Sequence, residues 1–541
     1  MFPRFLTLLA LGAILSPAAA GPAALAPFHD LFVTSDHCLA CHNGLEGPAG
    51  QDISIGSDWR ASMMANASRD PYWQAAVRRE VLEHPAAAEA IQDECSACHM
   101  PMARYAAKTA GGHGRVFANL PPGGHPGAEA ALAADGVSCA MCHQIEAEGL
   151  GTPDSFTAGF VVDTTTPPGG RAAYGPFEVD AGRQRVMSSA ATLEPGRGKH
   201  IQDSELCATC HTLYTHSRGA GGKVIGELPE QVPYLEWRHS AYRDSQSCQS
   251  CHMPVVEQET AVSSVLGKPR QKVSRHVFRG GNFFMLRMLD RYRDELGVVA
   301  TSAELQEAAE RTVDHLQEST ARLTMEDSTV ADGILQTVVR VKNLAGHKLP
   351  TAYPSRRAWL HLEVTDATGR TLFESGAMAP DGAITGNDND RDPRRYEAHH
   401  RVIDSPDQVQ IYEAIMADSE DTVTTGLLRA VRFVKDNRLL PKGFDKTTAA
   451  DDIAVQGDAR GDPAFAAGGD RVTYRVDVKG SEGPYRVRAA LWYQPIAHRW
   501  AMNLAPFDAP ETQRFVGYYR AMADESAVAV ARAEAMAAAG H

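Results

Sequence analysis

Cys38-Leu39-Ala40-Cys41-His42 is the first of five equal spacings; Cys95-Ser96-Ala97-Cys98-His99, Cys139-Ala140-Met141-Cys142-His143, Cys207-Ala208-Thr209-Cys210-His211 and Cys248-Gln249-Ser250-Cys251-His252 follow it. The chain has 10 cysteines, and none lies outside these units. Two thiols three positions apart can each add to one vinyl group of a single porphyrin, and the next residue then lies beneath the iron. The spacing predicts five covalent c-type haems, each attached through its two cysteines, with His42, His99, His143, His211 and His252 as proximal ligands. A zinc ribbon, a thioredoxin-like pair or a framework of disulfides would leave the five histidines without a purpose.

The N-terminus agrees from an independent direction. Arg4 is the only charge in residues 1–20, an apolar run occupies 5–15, and Ala18-Ala19-Ala20 offers a small-residue cleavage site, the pattern of a secretory signal peptide cut near Ala20. The run is short for a bilayer span and no later stretch is long enough for one. A mature chain without a membrane span, periplasmic or secreted, is expected. The formal net charge of −14 argues against nucleic acid and anionic membranes and leaves redox proteins as the expected partners.

A chain of 541 residues exceeds one ordinary core. All five motifs lie between 38 and 252, so a pentahaem cytochrome domain with flanking helices is expected over 21–322. Asp70-Pro71 reads as a helix N-cap followed by Pro at the first helical position, with Trp73, Val77 and Val81 at four-residue spacing. Residues 89–99, 282–296 and 302–322 also read as helical. Composition changes near Thr324: strands are expected over 333–342, 471–478 and 485–493, with a hairpin over 359–374 turning at Asp366-Ala367-Thr368-Gly369. These give a β-sandwich-like domain over 323–505 and a C-terminal helical tail over 506–541. The expected fold class is multidomain, a mostly α and irregular multihaem domain followed by a β-sandwich-like domain and a C-terminal helix.

Several phrases resemble multihaem cytochromes c of the cytochrome c-554 type: Trp59-Arg60-Ala61-Ser62-Met63-Met64, Arg69-Asp70-Pro71-Tyr72-Trp73, Cys98-His99-Met100-Pro101, Asp135-Gly136-Val137-Ser138-Cys139 and the stretch from Cys248 to Pro254. Gly346-His347-Lys348-Leu349-Pro350-Thr351 and Asp436-Asn437-Arg438-Leu439-Leu440-Pro441-Lys442-Gly443-Phe444 are similar to phrases of larger cytochromes that append a β-domain. The resemblance implies electron transfer.

Low-spin irons need a second strong ligand, and the choice of ligand tunes the potential. His113, His125, His200, His216, His239, His276 and His347 are the distal candidates, with His29, His37 and His84 behind them. Met63 and Met64 are alternative ligands. Met100 and Met253, adjacent to proximal histidines, read as haem-edge packing, as do Trp59, Trp73, Trp237 and Tyr234. The alternative to a carrier is a multihaem oxidoreductase with one open iron, acting on a small nitrogen or sulfur compound. No Cys-x-x-Cys-Lys occurs, and His113, Tyr105 and Arg104 are its candidate acids. The β-domain reads as either a docking module or a buttress.

Overall fold

The computed structural model describes residues 31–538; the signal-like residues 1–20 and His29 lie outside that span. Each motif lies on or at the end of a short helix: Asp36–Leu39, Ala88–His99, Cys139–Cys142, Ser204–His211 and Cys248–His252. One helical turn carries residues three apart to the same face, so both thiols of a pair point one way. The helix Pro71–Glu83 begins as read, with the Asp70 carboxylate accepting from the amides of Tyr72 (2.8 Å) and Trp73 (3.2 Å). Ahead of the third motif, Gly136 takes φ +61°, and a Cβ there would meet the Ala65 carbonyl oxygen at 2.6 Å. That contact lets the Val137 amide donate to Met64 (2.9 Å) and ties the third motif to the segment after Trp59.

The second half is built from two main sheets. One runs Thr371–Ser375, Arg357–Thr365, Tyr485–Gln494, Val528–Ala537, with Ile411–Tyr412 also on Arg357–Thr365. The other runs Val402–Ile403, Gly469–Asp477, Ile334–Asn343, Ala321–Ala331. Burial alternates along Ile334–Asn343 and Gly469–Asp477. The inward residues of both sheets, among them Val339, Val472, Leu362 and Leu491, share one apolar cluster. Strands read from period-two patterning therefore find the buried layer that the pattern requires. The link between Gly469–Asp477 and Tyr485–Gln494 crosses from one sheet to the other.

The same cluster takes in Phe283, Phe284 and Leu289 of the helix Phe283–Arg291 and Leu305 and Leu316 of Ser302–Ser319. These helices thus pack on the sheets, and the helix Ser302–Ser319 leads almost directly into the strand Ala321–Ala331. A smaller cluster, with Trp73, Val77, Ile91 and Leu132, underlies the second and third motifs.

The expected helical tail is corrected in part. Pro510–Met522 is a helix whose Phe515 meets Tyr72 at 5.0 Å, but Val528–Ala537 is a strand paired antiparallel with Tyr485–Gln494. Its Ala-rich sequence favours helix by propensity; pairing with a distant strand overrides it. The hairpin Leu213–Arg218 with Val224–Gln231 and the parallel pair Arg171–Gly175 with Leu193–Arg197 were not anticipated either. Among the described residues no helix is long and apolar enough to cross a membrane.

A chain ending at residue 527 loses the strand that covers one flank of Tyr485–Gln494. We expect a lower melting temperature and poor soluble yield, read by circular dichroism and sedimentation; an unchanged melt would deny the strand a structural role.

Candidate functional site

One cavity of about 1390 Å³ is lined by all ten cysteines and all five motif histidines, which puts residues far apart in sequence around a single apolar space. No two of the cysteines are joined in a disulfide. Trp59, Trp73, Tyr234 and Trp237, the positions read as porphyrin packing, line the cavity as well, together with Phe160. Trp59 donates from Nε1 to the Val137 carbonyl (2.9 Å) and Trp237 to that of Gln246 (2.9 Å), which fixes both rings.

The motif histidines are aimed. Nδ1 lies against a backbone carbonyl in His42 (Val262, 2.6 Å), His99 (Ala67, 2.9 Å), His143 (Tyr174, 2.5 Å) and His252 (Arg279, 2.5 Å). A ring that donates from Nδ1 keeps its Nε2 lone pair free, which is the form that binds a metal. Burial keeps the rings neutral, holding His99 and His252 down to about 4 and His143 and His211 below the usual range.

Two of these rings face a second histidine. His143 and His276 have centroids 6.4 Å apart with planes 22° from parallel; His252 and His347 are 6.2 Å apart at 13°. Two imidazoles on opposite sides of one metal, with bonds of about 2 Å, hold their centroids roughly 6 Å apart. The donor set therefore fits a six-coordinate haem iron at both places. Nδ1 of His276 lies against the Ser274 carbonyl (3.2 Å) and that of His347 against the Lys348 carbonyl (2.9 Å), so the partners are anchored in the same manner.

Contacts among thiols order the motifs. Cys38 adjoins Cys139, Cys98 adjoins Cys210, and Cys207 adjoins Cys248, while Cys142 lies close enough to Cys207 to raise its thiol. The first motif thus adjoins the third, and the second and fifth motifs both adjoin the fourth.

His347 stands on a loop of the β-rich half, and a buried charge cluster brings it to the cavity. Glu236, on the helix Pro233–Arg238, accepts from the Lys348 amide (3.1 Å) and the Thr351 hydroxyl (2.5 Å) and pairs with Arg438 (2.9 Å). Asp436 pairs with Arg438 (2.7 Å) and Lys348 (2.7 Å). Burial opposes ionisation of Asp436, but Arg438 and Lys348 together hold its carboxyl below the usual range. Gly443 at φ +80° lets the chain pass Ala241, whose Cβ would lie 2.8 Å from an added Cβ, and the Ala241 amide donates to Lys442 (2.8 Å).

The other candidates stand elsewhere. His125 is exposed and bound to the Leu120 carbonyl (2.8 Å), His239 to that of Asp445 (2.9 Å) and His200 to that of Ile145 (2.9 Å). His216 pairs with Glu94 (3.2 Å), and His113 is exposed. None of these five lines the cavity, nor does His84, whereas His37, Met63, Met64 and Met253 do. Met100 is buried in the smaller apolar cluster. Arg104 is paired with Asp93 (2.9 Å), and the Tyr105 hydroxyl accepts from the Val162 amide (3.1 Å), so neither faces the cavity.

Two features escaped the sequence reading. His315, on Ser302–Ser319, also lines the cavity; its signal was a histidine on the apolar face of a helix, four residues before Ser319 and three after Thr312. Near Cys95 stands a polar wall of Glu80, Glu230, Tyr72 and Tyr353. Burial pushes Glu80 and Glu230 each up to about 7. Away from the cavity, His399 meets Asp462 (3.2 Å) near Asp470, but its other nitrogen accepts from Gln410 (2.8 Å) and Asn437 (3.1 Å), a closed network within the β-rich half.

The crystal structure of a penta-heme cytochrome c552 from Thermochromatium tepidum superposes on this chain with a TM-score of 0.50 at 17% identity, over 94% of this chain and 100% of that one. The two share a fold across both halves. No family model and no curated protein matches the sequence.

Glu236→Gln leaves Arg438 with one carboxylate fewer inside the protein. We expect a loss of about 3 to 5 kcal/mol, the usual cost of breaking a buried charge pair, read as a lowered denaturant midpoint; a midpoint within error of the parent would show that the cluster is not a clamp.

Proposed function

We propose that this chain is an exported electron-transfer protein, periplasmic or secreted, that passes electrons through five covalently bound c-type haems to and from redox partner proteins. The observation that carries the reading is the single cavity lined by all fifteen motif cysteines and histidines. Haem, when bound, supplies the one-electron iron couple. The chain's own residues would attach it through the ten thiols, aim Nε2 of His42, His99, His143 and His252 through their Nδ1 contacts, and exclude water with Trp59, Trp73 and Trp237. His276 opposite His143 and His347 opposite His252 are the distal ligands this geometry favours. In this reading residues 21–322 bear the haems, and the β-rich half delivers His347 and closes one side of the array.

The test is a haem count by pyridine haemochromogen absorbance against protein concentration, followed by spectroelectrochemistry. Five haems with reversible reduction are expected. The double variant Cys207→Ala/Cys210→Ala should carry four, and the fourth motif's place beside both the second and the fifth predicts slowed equilibration between those two. Fewer than five in the parent protein would overturn the reading.

One observation favours a second reading, an oxidoreductase acting on a small nitrogen or sulfur compound. Among the described residues no second histidine ring lies at ligand spacing from His42, His99 or His211; at His99, Trp73 stacks on the ring at 4.3 Å and 3°. The polar wall of Glu80, Glu230, Tyr72 and Tyr353 stands close to the same motif, and hydroxyls and protonated carboxyls there are placed to give protons to a ligand. Glu80 and Glu230 lose their protons across neutral pH, and an added negative charge near a haem favours the oxidised iron. The potential of one haem is therefore expected to fall as pH rises from 6 to 8, and Glu230→Gln should flatten that slope; a pH-independent set of potentials in a redox titration would remove the wall from the electron path.

A further inference from the structure

Two histidines, not one, stand at ligand spacing from His252. His347 lies 6.2 Å away with its plane 13° from parallel, and His315 lies 6.5 Å away at 66°. An iron bound to His252 has room for one of them. They come from different parts of the fold. His347 is on the loop held by Glu236 and Lys348, while His315 is on the helix Ser302–Ser319, whose Ala308, Thr312, Leu316 and Ser319 line the same cavity.

Their surroundings differ as well. The His347 ring is fixed through Nδ1 by the Lys348 carbonyl. Nδ1 of His315 is buried with no hydrogen-bond partner among the described residues. A ring without an anchor is free to rotate about its side-chain torsions, and a buried nitrogen without a partner gains by any rearrangement that supplies one. The His347 loop depends on a four-residue charge cluster that joins the two halves, so whatever loosens that contact withdraws His347. The helix bearing His315 keeps its place in the main apolar cluster through Leu305 and Leu316.

We propose that His315 is a reserve axial ligand for the iron carried by His252, filling the position opposite that ring when His347 leaves it. This rests on the five-haem reading above. One neutral imidazole replaces another, so neither charge nor electron count changes; the ring-plane angle does, and with it the splitting of the iron d orbitals. The fifth haem thereby stays low-spin and closed to exogenous ligands in both arrangements.

Low-temperature electron paramagnetic resonance of the holoprotein tests this, with spins quantified per haem so that a lost haem, which would fail the five-haem reading, reads differently from a lost ligand. His347→Leu, and His347→Gln in case the apolar replacement disturbs the loop, should add no high-spin iron over the parent; a low-spin signal of nearly parallel rings is replaced by one of strongly crossed rings. His315→Leu should leave the parent signals in place. The double variant His315→Leu/His347→Gln should gain one haem equivalent of high-spin iron that binds carbon monoxide when reduced. One equivalent of high-spin iron in the His347 variants alone would overturn the proposal, and so would its appearance in His315→Leu alone, which would assign His315 to a different iron.

Discussion

The arrangement depends on a small and repeated interaction, a histidine Nδ1 held by a backbone carbonyl. It occurs at His42, His99, His143 and His252, and again at His276 and His347. A histidine on a flexible segment has two donor-capable nitrogens and several rotamers. The carbonyl selects one tautomer and one orientation, and the apolar setting keeps the ring neutral. Only then can rings contributed by segments far apart in sequence, His143 with His276 and His252 with His347, meet at the separation a single metal would impose.

That constraint explains the organisation of the first half. Its helices are short and its own apolar cluster is modest, because they enclose the large cavity that the proposed porphyrins would fill. The segments carrying Val262, Ser274 and Arg279, which contain almost no regular structure, are placed by what they must offer to a histidine ring. The second half follows ordinary rules, with alternating strands, a shared apolar layer and helices packed against it. It lines the cavity with Leu427, Leu428, Tyr493 and Ile496 and with the loop that bears His347, and a buried cluster of two acids and two bases sets that loop. The cluster couples the halves electrostatically, so integrity of the β-rich half is linked to the placement of the His347 ring beside His252.

Much of this was legible in the sequence. The five motifs stand out by their fixed spacing, and all fifteen of their cysteines and histidines line one cavity. The Asp70-Pro71 cap, the helix ending at His99 and the alternating strands follow from local chemistry. The partners of the proximal rings were less legible, because facing across a cavity is a tertiary relation with no spacing rule. Nearness in sequence to a motif favoured His125, His200 and His239, yet none lines the cavity and each is held by a backbone carbonyl. His276 and His347 reach it from farther along the chain. His315 could have been weighed, since a histidine on the apolar face of a predicted helix needs a reason. The strand Val528–Ala537 was hidden by alanines that read as helix until Tyr485–Gln494 supplies a partner.

The most direct measurement is anomalous diffraction at the iron edge from crystals of the holoprotein. The account predicts five iron peaks, with one lying between the Nε2 atoms of His143 and His276 and another between His252 and a second histidine. Five irons placed so that His143 and His276 belong to different haems, or fewer than five peaks at full occupancy, would contradict it.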